Sequence, residues 1–372
     1  MKILQLGKFY PIRGGVEKVM YDLMTGLSAK GIDCDMMCAA CEGHKGEVKI
    51  NEHGRVLTYK SWKKVAGTTI APSMLWALKK KCKEYDIIHV HHPDPMAGLA
   101  LWLSGFKGKV VLHWHSDIVK QELGLKFYMP LQNWLIKRAD VIVGTTPVYL
   151  AESPHLKHAQ EKTTCVPIGI EPVQEVEEEK TKSLKAKYPG KKIVFSLGRL
   201  VPYKGYEYLI EAAKYTKDDV VILIGGTGPL REDLEEDIRM LGLQDKVKLL
   251  GRISDDDLPT YYRACDIYCM SSVFKTEAFG IVQIEAMSCG KPLIATNIPE
   301  SGVSWVNKHG VSGINVAPMN GKELAEAINY ILSDEEAYKK FSEGSKQRFK
   351  EVFLLSNMTN NCLNIYQKLT KA

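Results

Sequence analysis

Two stretches of the chain carry one pattern, and that repetition limits the fold more than any other feature. Leu135-Ile-Lys-Arg-Ala-Asp140-Val-Ile-Val-Gly-Thr145 and Tyr261-Tyr-Arg-Ala-Cys-Asp266-Ile-Tyr-Cys-Met-Ser271 each run from a helix end, through an Asp, into a short apolar strand that stops at a small polar residue. Each copy needs a right-handed crossover to bring the next strand back beside it. Further apolar runs at 2–6, 85–90, 109–114, 192–197, 219–224 and 246–250 read as buried strands. The stripe Val16, Val19, Met20, Leu23 and Leu27, ending at Gly31, has helical spacing. A chain of 372 residues has room for two domains. The expectation is an α/β protein of two Rossmann-like domains, 1–170 and 171–354. Val166-Pro-Ile-Gly-Ile170 and the charged, aperiodic run 171–182 read as the hinge between them.

The second copy leads into the most informative stretch, Glu277-Ala-Phe-Gly-Ile-Val-Gln-Ile-Glu285. A strand on either side makes its middle a loop and a crossover helix, opened by Gly280 and closed by Gly290 and Pro292. The N–H groups of Phe279, Gly280 and Ile281 would then point out of a helix N-terminus, which binds phosphate through its free donors and its dipole. Ionised carboxylates only accept hydrogen bonds, so Glu277 and Glu285 suit hydroxyls on either side of a phosphate. Such a site fits a sugar nucleotide. The competing reading makes both acids solvated residues at a helix start.

Other loops follow predicted strands, where α/β proteins place their ligands. Gly14 and Gly15 open the first helix and let backbone N–H groups approach an anion. The sequence there is not G-x-G-x-x-G, so a nicotinamide cofactor is not indicated. His91, His92 and Asp94 either meet an acceptor or fix a Pro-rich turn; no further ligand has metal-site spacing. His113 and His115 lie on one face of their strand by alternation. Arg199 and Lys204 stand five apart on a Gly-bounded loop suited to a diphosphate.

Two of these motifs carry a family resemblance. E-x7-E from Glu277 to Glu285, followed by Ala286-x-x-x-Gly290-x-Pro292, and Gly198-Arg199-x-x-x-x-Lys204-Gly205 resemble the two hallmarks of retaining glycosyltransferase family 4, which has the GT-B fold. The resemblance extends over most of the chain. It implies two Rossmann-like domains facing across a cleft, the N-terminal one for the acceptor and the C-terminal one for a UDP- or GDP-linked sugar. It also implies a last helix, 355–372, crossing back to the N-terminal domain. Arg199 and Lys204 would hold the leaving diphosphate, Glu277 the sugar hydroxyls and Glu285 the ribose. His115 would lie beside the anomeric carbon, with His113 as the alternative. Gly14 and Gly15 would lie against the diphosphate and acceptor, Gly226 near the donor, and Arg252 and Ile253 at the nucleobase. No metal and no cofactor are expected. By the same analogy the product is a hexosylated, lipid-linked glycan for a cell-surface polysaccharide. A sugar-nucleotide epimerase, a phosphorylase or a non-catalytic nucleotide-sugar-binding partner are the alternatives, though no cofactor-linked lysine for a phosphorylase is identifiable.

Charge and cysteine usage agree with a cytoplasmic protein. Residues 1–160 hold 22 Lys and Arg against 14 Asp and Glu, so the excess over the net +6 is balanced by a nearly neutral remainder. Lys79, Lys80, Lys81 and Lys83, and the run 62–64, suit either a solvated face or contact with an anionic membrane at the inner face of the plasma membrane. No nucleic-acid-binding module is recognisable. No apolar run approaches a membrane span, and the N-terminus leads straight into a strand. The nine cysteines argue for reduced thiols. Cys34, Cys38 and Cys41 have the C-x3-C-x2-C spacing of an iron–sulfur site, but they alternate along a predicted strand, where Cys behaves as a small hydrophobe.

Overall fold

The computed structural model describes residues 1–12, 14–41, 46–65, 68–118 and 122–371, without the side chains of 64, 65 and 122–127. Arg13 of the first loop and the side chain of Lys64 thus lie outside the described residues. The chain divides into two compact units, Met1–Gly169 with Leu355–Ala372, and Ile170–Leu354.

Unit 1 is built on an eight-stranded sheet. Its strands are β1 (Lys2–Tyr10), β2 (Asp33–Ala40), β3 (Gly46–Lys49), β4 (Arg55–Lys60), β7 (Ile87–His92), β8 (Lys109–Trp114), β9 (Val141–Gly144) and β10 (Thr163–Cys165). A separate hairpin pairs β5 (Lys63–Val65) with β6 (Thr68–Ile70). The order across the sheet is β10-β9-β8-β7-β1-β2-β4-β3, with only edge strand β3 antiparallel. β7 is buried along its whole length, as a parallel strand covered on both faces must be. The helix Leu355–Lys371 packs on Gly15–Ser28, and the approach is close: a Cβ on Gly26 would lie 2.6 Å from Thr359 Oγ1.

Unit 2 holds β11 (Lys192–Leu197), β12 (Val220–Gly225), β13 (Val247–Gly251), β14 (Ile267–Met270), β15 (Leu293–Thr296) and β16 (Gly313–Val316). All are parallel, in the order β13-β12-β11-β14-β15-β16. Within the unit this is the 3-2-1-4-5-6 order of a doubly wound sheet, whose strand order reverses between β11 and β14. In unit 1 the reversal falls between β7 and β1.

The repeated Asp has a structural cause. Asp140 accepts a hydrogen bond from the Val110 N–H at 2.8 Å and returns its own N–H to the Val110 carbonyl. Asp266 does the same with Ile193, at 2.7 Å. Asp86, at the entry to β7, makes the same exchange with Lys2. Each Asp latches the entry of one strand to its neighbour and so fixes the register of a parallel pair.

Three details differ from the sequence reading. The chain passes between units at Gly169/Ile170, before the charged run. Arg263 binds the carbonyls of Val173 and Gln174 and the carboxylate of Glu175, and 178–186 is helical, so 171–182 belongs to unit 2 instead of forming a free hinge. Ser116-Asp117, after the 109–114 run, reads in the sequence as the start of the next helix; instead Asp117 accepts from Trp114 Nε1 and Ser153 Oγ, and the next helix among the described residues is Glu122–Arg138. Ser333 and Glu336 have capping-box spacing in the sequence, but the cap of Glu335–Arg348 is Asp334, whose carboxylate accepts from the Ala337 N–H, while Ser333 closes the preceding helix.

Candidate active site

Within unit 2 the candidate residues lie on the loops at the carboxyl ends of β11, β12, β13 and β14 and on the helix that follows β14, and these loops are tied to one another. After β11, Lys204 lies in a short turn ended by Gly205 at φ +61. Ser271, at the end of β14, donates to the Lys204 carbonyl at 2.9 Å, and Val273 N–H donates to the Tyr203 carbonyl. A Cβ on Gly205 would stand 2.3 Å from the Ser271 carbonyl oxygen, so glycine is what allows the two loops this approach. Across the same junction the Lys204 ammonium meets the Glu277 carboxylate at 2.5 Å, the two side chains being 11% and 13% exposed. Ser272 Oγ adds a weaker bond to Glu277 at 3.4 Å. A contact this short between two side chains so nearly withdrawn from water fixes both in direction.

The β12 loop packs on the β11 loop through missing side chains. Gly226, at φ +136, would place a Cβ 1.8 Å from the Gly198 carbonyl oxygen. Leu200 N–H donates to the Thr227 carbonyl. Arg199 is exposed, steadied by a 3.3 Å bond to Tyr203 Oη. Arg252 is exposed and Ile253 half-buried after β13, the latter occupying the space beside Gly225.

Glu277 leads into the helix Ile281–Ser288, whose N-cap is Gly280 at φ +76. The loop before it is pinned by Ser301 Oγ on the Glu277 carbonyl and by Gly302 N–H on the Ala278 carbonyl. The Phe279 side chain is buried edge-on against Phe353. Among the described residues no acceptor takes the N–H groups of Gly280 and Ile281. Glu285, one turn on, accepts from Tyr262 Oη. Burial and then the Glu285 carboxylate hold the Tyr262 phenol well above its ordinary range, so it stays a donor. Tyr262 had no sequence signal: nothing local links it to a carboxylate 23 positions later.

Unit 1 places its candidates at the carboxyl ends of β1, β7 and β8. Gly14 is the N-cap of the helix Gly15–Ser28, and the buried Glu17 folds back over it: a Cβ there would lie 2.5 Å from Glu17 Oε2. A side-chain carboxylate therefore already borders that helix start. Asp94 caps the helix Pro95–Ser104 through the Met96 and Ala97 N–H groups and also accepts from the Lys8 N–H. Burial raises its carboxyl against the opposing pull of Lys8. The Asp94 carboxylate thus fixes the turn after β7. His92 is fully buried, lies flat on Trp114 at 3.8 Å and bonds Gln132.

His89, His91, His113 and His115 share one face of β7 and β8, all buried. His91 bonds Gln5 Oε1 at 2.8 Å and His115 Nε2 at 2.9 Å, and His115 lies 4.0 Å over His113. Burial drives all four well down from the usual histidine range, His113 to about 3, so the rings are neutral. His115, 5% exposed, is the member at the strand end, whereas His113 is 0% exposed. Cys34 and Cys38 are buried in β2, and burial raises their thiols, which disfavours the thiolates a cluster would need.

Two doubly wound units, the second with cationic and anionic side chains converging at its switch point, define the GT-B class of fold. Residues 13–174 match the family model described as Glycosyltransferase Family 4, and residues 176–348 the model described as Glycosyl transferases group 1. The O-antigen chain mannosyltransferase C of Escherichia coli is 31% identical over 374 residues, covering 100% of both chains. The D-rhamnosyltransferase WbpZ of Pseudomonas aeruginosa is 28% identical over 95% of this chain and 92% of that one. The crystal structure of Anabaena Alr3699/HepE in complex with UDP shares the fold at a TM-score of 0.80 and 20% identity, covering 99% of this chain and 100% of that one. The chain belongs to the group 1 glycosyltransferases of family 4.

Proposed function

We propose that this protein is a retaining, metal-independent hexosyltransferase that moves a sugar from a UDP- or GDP-linked donor to a lipid-linked glycan in O-antigen or related surface-polysaccharide synthesis. The observation that carries the reading is the Lys204–Glu277 junction at the unit 2 switch point, with Arg199 exposed on the same loop. Arg199 and Lys204 supply fixed positive charge for a departing diphosphate, the role a divalent ion would otherwise take. Glu277 accepts from sugar hydroxyls, and Glu285, oriented by Tyr262, from the ribose. The free N–H groups of Gly280 and Ile281 suit a phosphate oxygen. Held by an ammonium and a serine, Glu277 is placed to orient the sugar; reaction on one face of the ring then needs no enzyme nucleophile, and catalysis is positioning plus charge stabilisation.

The two full-length relatives support a place in polysaccharide assembly, and the mannosyltransferase makes GDP-mannose the first donor to try. A lipid-linked acceptor is supported by the helices Pro72–Lys81 and Pro95–Ser104, packed together with their C-terminal ends adjacent. They expose Trp76, Lys79 and Lys80, and Trp102 and Leu103, a mixture suited to an anionic membrane surface. No helix among the described residues is long and apolar enough to cross a membrane.

The test is calorimetric titration of UDP and GDP in EDTA, with Arg199→Ala and Glu285→Ala alongside. One nucleotide should bind, and both substitutions should weaken it by tenfold or more. Binding of neither, or binding only when a divalent ion is restored, would overturn the reading. Consumption of donor without acceptor would point instead to an epimerase.

A further inference from the structure

The four-histidine face of unit 1 contains more order than a site residue and its packing require. His89, His91 and His113 form a triad that invites a metal, yet their ligand atoms lie as much as 4.8 Å apart. Nitrogens bound to one zinc at ~2.0–2.1 Å sit only about 3.4 Å from each other. Both nitrogens of His91 are also taken, by Gln5 and His115. The cluster is better described as a directed line of hydrogen bonds, and its direction can be followed ring by ring.

The line begins at Gln5, fully buried on β1. Its Nε2 faces Tyr366 Oη at 3.4 Å and Cys34 Sγ at 3.6 Å, both able to accept. Its Oε1 faces His91 Nε2 at 2.8 Å, the length of an N–H to oxygen bond. A carboxamide oxygen only accepts, so His91 carries its hydrogen on Nε2. A neutral imidazole has one donor and one acceptor, so His91 Nδ1 is bare. It therefore accepts from His115, 2.9 Å away, whose hydrogen must then be on Nε2. That leaves Nδ1 of His115 as a lone pair. No described residue bonds it, and it is not among the buried atoms without a partner. Stacking on His113 at 4.0 Å fixes the plane of the ring.

We propose that Gln5 and His91 are positioning residues that hold His115 as its Nε2–H tautomer, so that a bare Nδ1 meets the substrate as the acceptor for a sugar hydroxyl. The inference rests on the reading that His115 stands at the reacting centre. It adds that the ring receives a hydrogen bond there and does not give one. Burial, with the neighbouring imidazoles and Lys8, keeps His115 uncharged. A neutral ring presenting a lone pair suits a sugar that becomes oxocarbenium-like, where an imidazolium would oppose the developing charge.

The tautomer is directly observable. Nitrogen-15 spectra of the histidine-labelled protein, with the His115 signals identified by their loss in His115→Ala, should show hydrogen on Nε2 and a bare Nδ1. His91→Phe keeps a ring in the face but leaves the buried His115 N–H without an acceptor. An orphaned buried N–H is strongly disfavoured. The hydrogen should therefore move to the open Nδ1, and kcat/KM should fall about tenfold or more. His91→Phe combined with His115→Ala should lose no more than His115→Ala alone, because the two residues act through one atom. Gln5→Met should shift the same signals, giving a second route if His91→Phe does not fold. A wild-type spectrum with hydrogen on Nδ1, or a double variant whose losses add, would overturn the relay while leaving the site reading in place. A His115→Ala protein with undiminished turnover would instead remove His115 from the reacting centre, and the proposal with it.

Discussion

The Lys204–Glu277 pair allows a test in which stability and turnover must part company. Lys204→Met and Glu277→Gln each remove one charge and leave the other in a setting where its side chain is 13% or 11% exposed. Orphaning one member of a fully buried pair costs about 3–5 kcal/mol. The residual exposure here argues for a smaller cost, about 2–3 kcal/mol per single variant. For a unit of this size that lowers Tm by about 5–10 °C. If the losses were independent, the double variant would lose about 4–6 kcal/mol. With both charges gone nothing is orphaned, so the double variant should lie within about 1 kcal/mol of wild type. Turnover should behave in the opposite way. Each group is assigned its own substrate contact, the diphosphate or the sugar hydroxyls, so restoring stability should restore no activity, and kcat of the double variant should stay at or below the worse single. Thermal melts followed by circular dichroism, with initial rates on the preferred donor, measure both quantities. Additive destabilisation would refute the coupling. Recovery of turnover in the double variant would make the pair a structural clamp only.

Three further outcomes are expected. His92 and His113 titrate at about 3 in the fold and near 6.5 when unfolded, so the unfolded chain binds more protons between these values. Stability of unit 1 should therefore be complete above about pH 6.5 and fall on acidification, by about 2 kcal/mol per ring at pH 5. Tryptophan fluorescence will report it, since five of the six tryptophans lie in unit 1 while unit 2 holds only His309; a flat midpoint from pH 7 to 5 would contradict the burial argument. Gly205→Ala meets the Ser271 carbonyl at 2.3 Å and should cost about 2–3 kcal/mol together with nucleotide affinity, whereas Gly190→Ala, at φ +71 with open space around it, should cost about 1 kcal/mol and leave affinity unchanged in melts and titrations. Tyr262→Phe removes the hydroxyl on Glu285 and should weaken nucleotide binding about fivefold to tenfold by calorimetry, with kcat little changed.

What the sequence made legible was local in character. Both copies of the Asp-then-strand pattern are visible because the latch immediately precedes the strand it latches, and the latch itself recurs at Asp86. Gly280 and Gly290 could be placed at the ends of a helix because each needs a left-handed backbone, φ +76 and +68, that disfavours other residues. Lys204 and Glu277 were each marked by their own motif, but nothing in either motif says that they touch, 73 positions apart. The charged run 171–182 misled for the same reason. Its composition is that of a linker, and the guanidinium of Arg263 that pins its beginning is almost ninety residues away. Ser333 and Glu336 fit a capping-box spacing, yet Ser333 Oγ donates back to the Asn329 carbonyl of its own helix, and Asp334, one residue later, accepts from the Ala337 N–H and takes the cap.

Unit 2 is one continuous segment, while unit 1 is closed by the helix Leu355–Lys371 that follows it. Ile170 and Leu354, the first and last residues of unit 2, are bridged to each other. On the ribosome this fixes an order of events. Tyr366, which bonds His89 and Gln5 in the heart of unit 1, emerges only after all of unit 2 has been made. At about 5–20 residues per second that is a wait of roughly 10–40 s. During that interval the face of β1 and β7 that will meet Tyr366 lacks this cover, so unit 1, begun before unit 2, is finished after it.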